Sequence, residues 1–89
     1  MKWYEILGAA PRLRILDLLY DGQKTITELC KLGKMNHKRC DNHLQVLVGA
    51  GLVTESRHGT IRMFTLATEH DYSFTFARFI EEFRKIWSP

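Results

Sequence analysis

"ELCKLGKMNHKRCDNHLQVL" (residues 28–47) contains two short amphipathic segments with a glycine, two lysines and an asparagine near their junction. Gly33 is expected to stop the first segment, and Asn36 suits the N-cap of the second, whose helix should run to about residue 48 or 49. On that second helix Cys40, Leu44 and Leu47 share one face. Lys38, Asn42 and Gln45 fall on the opposite face, with Arg39 and Asp41 beside them. Two helices joined by so tight a turn read as a helix-turn-helix.

The flanking elements follow from punctuation and period. "KWYEIL" (residues 2–7) places Trp3, Ile6 and Leu7 on one helical face before Gly8. "PRLRILDLLYDG" (residues 11–22) opens on a proline tolerated in a first turn, turns Leu13, Leu16, Leu19 and Tyr20 inward, and stops at Gly22. In "TITELCKLG" (residues 25–33) Thr27 is taken as the N-cap, with Ile26 and Leu29 as anchors. After "GAGL" the period changes to two. "LVTESR" and "IRMFTL", separated by "HGT", predict a hairpin over residues 52–66 with Gly59 in its turn. A last helix is expected over residues 69–87. Its Tyr72, Phe76, Phe79, Ile80, Phe83, Ile86 and Trp87 fall within a sector of about 120°. The fold class is mainly α with a small β-hairpin, in one domain over residues 1–89.

Composition narrows the function. With 45% hydrophobic and 26% charged residues the chain has the make-up of a soluble globular domain. It carries no apolar run of membrane-spanning length and no signal-peptide pattern, so a cytoplasmic protein without membrane association is expected. The net charge of +3 is unevenly placed. Residues 31–62 hold six Lys or Arg against Asp41 and Glu55, while the segments on either side are near neutral. A basic stripe on one part of a domain is the footprint of a polyanion binder. Within it, Arg57, His58 and Arg62 lie near the hairpin tip.

The cation and amides on the exposed face of the second helix suit phosphates, guanine and the adenine edge in a major groove. Other readings compete for the same residues. His37, Cys40 and His43 are spaced by three and could approach one ion, but Cys40 belongs to the apolar face, so no metal and no cofactor is expected. A Cys30 to Cys40 disulfide stays open. The aromatic stripe of the last helix exceeds what one small domain can cover, which points to a homodimer. A winged-helix protein interaction module is the alternative to DNA reading, and it should show an apolar patch in place of Lys38, Asn42 and Gln45. Paired carboxylates, a nucleophile with its base and a phosphate-cradling loop are not seen, so no enzyme is expected.

Three blocks, "ILGAAPRLRILDLL", "TITELCKLGKMNHKRCDNHLQVLVGAGLV" and "ESRHGTIRMFTL", make residues 4–66 resemble the winged-helix transcription regulators of the arsenic-repressor (ArsR-like) type. The resemblance implies a winged helix-turn-helix with the helix-turn-helix at 27–49 and the wing at 52–66. It also implies a homodimer on an imperfect palindrome of double-stranded DNA, with terminal helices (1–10 and 69–89) forming the dimer interface. Trp3, Ile6, Leu7, Tyr72, Phe76, Phe79, Ile80, Phe83 and Trp87 then form that interface. The family's DNA-contacting face maps onto His37, Lys38, Arg39, Asp41, Asn42 and Gln45. Two departures bear on sensing. "ELCKLG" offers Cys30 alone where metal-sensing members place several cysteines, and "EHD" near the last helix is followed by Glu81 and Glu82 without a second histidine.

Overall fold

The computed structural model describes residues 10–67 together with 78, 80 and 81. Helix α1 (Ala10–Tyr20) is followed by a two-residue strand β1 (Lys24–Thr25), helices α2 (Ile26–Gly33) and α3 (His37–Gly49), and strands β2 (Val53–His58) and β3 (Ile61–Leu66). The strands form one antiparallel sheet in the order β1-β3-β2. The expected hairpin is present. It gains a third strand where Lys24 pairs with Phe64 and Thr25 with Met63. Two residues are too short to show a period, so nothing in the sequence pattern marks β1.

Local chemistry sets the helix ends. Thr25, not Thr27, caps α2: its Oγ1 accepts from the Glu28 backbone N–H at 3.2 Å, and Glu28 Oε1 accepts from the Thr25 N–H at 3.0 Å. This is the reciprocal capping box, which leaves Ile26 inside the helix and buried. At the other end Gly33 is the last helical residue, and the left-handed position falls on Lys34, at φ 53°. Gly33 itself is buried, against the movable end of the Met35 side chain. A Cβ there would stand 2.8 Å from Met35 Cε, and its carbonyl accepts from Arg14 Nη1 at 3.0 Å. Asn36 caps α3 as expected, its Oδ1 accepting from the Arg39 N–H at 2.8 Å.

The core gathers one face of each helix on the inner face of the sheet. Cys40, Leu44 and Leu47 of α3 are fully buried beside Ile15 and Leu16 of α1, Leu29 of α2 and Phe64 of β3. On α1 the buried set is Ile15, Leu16 and Leu19, whereas Leu13 and Tyr20, expected inward, are half-buried. Each fully buried large side chain contributes about 1.5–3 kcal/mol. Ile80, placed by the sequence at a dimer interface, is 4% exposed within one chain and joins this core, so its burial requires no second copy. The remaining interface candidates, Trp3, Ile6, Leu7, Tyr72, Phe76, Phe79, Phe83 and Trp87, lie outside the described residues. No described helix is long and apolar enough to cross a membrane.

Candidate nucleic-acid interface

Helix α3 presents its polar side outward because its apolar side is committed to the core. His37, Lys38, Arg39, Asn42 and Gln45 are exposed and Asp41 is half-buried. Among the described residues the side chains of Lys38, Arg39 and Asn42 hold no hydrogen bond or ion pair, which leaves a free row of two cations and an amide. His43 lies toward α1, where its Nδ1 accepts from Arg12 Nε at 3.2 Å. Partial burial and then the charges of Arg12 and Arg39 hold its pKa below the ordinary histidine value. Its Nδ1 lone pair is therefore engaged and its neutral form favoured.

The wing divides its three basic residues between two faces. Strand pairing sets Val53 opposite Leu66, Glu55 opposite Phe64, and Arg57 opposite Arg62. Since alternate residues share a face, these six form the inner face, which runs from apolar near the core to charged near the tip. His58 stands on the outer face beside the turn, where it lies 3.5 Å from Ser56 Oγ. The positive φ of that turn falls on Gly59, at 66°. Exposed Ile61 completes the tip.

A polar cluster joins this inner face to α3. Arg62 Nη2 donates to Asp41 Oδ1 at 2.8 Å and to Glu55 Oε1 at 3.2 Å, while its Nε donates to Glu55 Oε2 at 3.0 Å. The guanidinium also lies 5.4 Å from the centroid of the Phe64 ring. Gln45 Nε2 donates to Asp41 Oδ1 and to Glu55 Oε1, both at 3.2 Å. Arg57 joins at the edge, its Nε 3.4 Å from Glu55 Oε2, so that one carboxylate separates two arginines that face each other across the strands. The bond from Arg62 holds the carboxyls of both Asp41 and Glu55 below their ordinary range, with Gln45 adding to the effect, and the two carboxylates raise Arg62 further. Arg62 and Gln45, both placed on the DNA-facing surface by the sequence, thus each donate to Asp41, also placed there, and to Glu55. The sequence reading missed Glu55, because no local pattern links it to partners on another element.

The thiols sit behind this surface. Cys30 and Cys40 are both free, and burial followed by the neighbouring Cys30 pushes the Cys40 thiol up to about 12. Such a thiol is a core side chain, poorly suited to ligate or react.

Comparison with known proteins places this architecture. The family model of the bacterial regulatory proteins, arsR family, matches residues 11–55. Reduced HlyU from Vibrio cholerae superposes with a TM-score of 0.84 at 21% identity, over 98% of this chain and 86% of that one. The transcriptional repressor BigR from Xylella fastidiosa gives a TM-score of 0.84 at 21% identity, over 97% and 83% of the two chains. A homodimeric winged helix-turn-helix DNA-binding domain from Mycobacterium bovis, described as a possible ArsR-family transcriptional regulator, is 29% identical with a TM-score of 0.75, over 92% and 71%. Comparison with curated protein sequences returns no match.

Proposed function

Because the chain belongs to the arsR family of bacterial regulatory proteins, we propose that it binds double-stranded DNA sequence-specifically as a homodimer on an imperfect palindrome. In this reading α3 enters the major groove and the wing lies on the backbone or minor groove. The observation that carries it is the polar row of α3, with Lys38, Arg39 and Asn42 exposed and, among the described residues, without side-chain partners, next to a basic wing. An interaction module would be expected to expose an apolar patch at that place. Lys38, Arg39 and Arg57 reach phosphates or guanine, Asn42 reads a base edge, and His37 and His58 approach the backbone. Asp41 and Arg62 brace the helix against the wing.

A homodimer gives the reading its symmetry, and the Mycobacterium bovis domain, described as homodimeric, supports it. Selection from random duplexes at moderate salt tests the whole proposal. An enriched palindrome is expected. Lys38→Ala should then weaken binding to every sequence and lower the salt slope by about one, while Asn42→Ala should relax preference at one base position by about 1–3 kcal/mol. Failure to enrich any sequence, or a monomeric mass at micromolar concentration, would overturn the corresponding part.

A further inference from the structure

We infer that Gln45 reads DNA as a hydrogen-bond acceptor only, so that its base position admits adenine or cytosine on one strand and rejects guanine and thymine. This rests on the proposed placement of α3 in the major groove. The carrying observation is that both amide hydrogens of Gln45 are already committed: Nε2 donates to Asp41 Oδ1 and to Glu55 Oε1, each at 3.2 Å. The carboxylates also decide which end of the amide is nitrogen. Turned over, Oε1 would face two anionic oxygens with no proton between them.

These acceptors are not free to leave. Arg62 holds Asp41 at 2.8 Å and both oxygens of Glu55 at 3.0 and 3.2 Å, and is itself set over the buried Phe64 ring. Gln45 is exposed, and among the described residues its Oε1 has no hydrogen-bond partner. A glutamine with a free N–H pairs with adenine through both N6 and N7. Gln45 has no N–H to give. A lone acceptor meets the amino group of adenine N6 or cytosine N4, whereas guanine O6 and thymine O4 put a second lone pair in the same place. Asp41 and Glu55 are then positioning residues that set the polarity of the reader without touching a base.

The test is selection from random duplexes with the unaltered chain, Gln45→Ala and Glu55→Ala, each checked for folding by circular dichroism. Gln45→Ala identifies the position by abolishing preference there. In the unaltered chain that position should hold adenine and cytosine at comparable frequency, with guanine and thymine depleted. In Glu55→Ala, where Arg62 keeps Asp41, one amide hydrogen is released and adenine should gain over cytosine by about fivefold or more. Asp41→Ala releases the other hydrogen and serves if Glu55→Ala does not fold. Adenine alone in the unaltered chain, a guanine or thymine preference, no position sensitive to Gln45→Ala, or an adenine-to-cytosine ratio unmoved by releasing the hydrogen would each overturn the inference while leaving DNA reading intact. No enrichment with any chain would remove both.

Discussion

Helix α3 is fastened on two sides by different physics. On one side Cys40, Leu44 and Leu47 are fully buried against α1, α2 and the sheet. On the other, Asp41 and Gln45 are tied to Glu55 and Arg62 by charged hydrogen bonds whose ionic side chains remain 16–33% exposed. Apolar burial is non-directional and carries no carboxylate that titrates in the acid range, so it fixes where the helix lies. The polar side is directional and responds to pH. It fixes how the wing meets the helix and which atoms stay available for a ligand.

The largest expected effect strikes the apolar side. Leu44→Ala should cost about 2–5 kcal/mol in urea unfolding, at every pH where the chain folds, because it leaves a cavity under the helix. The same face has a chemical readout. The Cys40 thiol, buried and raised to about 12, should resist alkylation at about pH 8 until the chain opens, so that its labelling rate follows the opening equilibrium. Rapid native labelling of Cys40 would show that this side is looser than its packing indicates.

The two sides also differ in how legible they were. The spacing of Cys40, Leu44 and Leu47 and the cap at Asn36 are local patterns, and the structure reproduces both. The capping box from Thr25 to Glu28 is equally local, written in "TITE", although the sequence reading points to Thr27 as the cap. Strand β1 had too few residues to show an alternation. The Glu55–Arg62–Asp41 cluster was beyond sequence reading for another reason. Its partners come from α3, β2 and β3, and charge composition counted Asp41 and Glu55 only as subtractions from a basic surplus. What the spacing assigned to Gln45, an amide with both donor and acceptor free, is what that cluster changes.

Arg62→Ala is the second largest perturbation and acts on the polar side. It leaves two half-buried carboxylates without their cation, at a cost of about 1–3 kcal/mol, between the limits for exposed and buried pairs. Its pH dependence separates the two sides. The folded pKa values of Asp41 and Glu55 are depressed, chiefly by the bond from Arg62. Their contribution is therefore fully present above the unfolded values of about 4 and is lost as pH falls through the lower folded values. The unaltered chain should lose stability across that acid window, and Arg62→Ala should lose less over the same interval. Parallel curves for the two chains would mean that the polar side does not carry the linkage.

The smallest effect concerns the turn that delivers α3 to both of its fastenings. Lys34 holds φ 53° at the end of α2, a left-handed conformation that costs a residue with a Cβ roughly 1–2 kcal/mol. Lys34→Gly removes that strain but adds freedom to the unfolded chain, offsetting part of the gain by about 0.5–1 kcal/mol. A net stabilisation of about 0.5–1 kcal/mol is expected in urea unfolding. Lys34→Ala is the control, since it removes the same charge and keeps the Cβ. If alanine stabilised as much as glycine, relief of charge crowding with Lys31 and the rest of the basic segment would be the cause, and the turn would be unstrained. If only glycine did so, the turn stores strain that the apolar side of α3 is strong enough to hold.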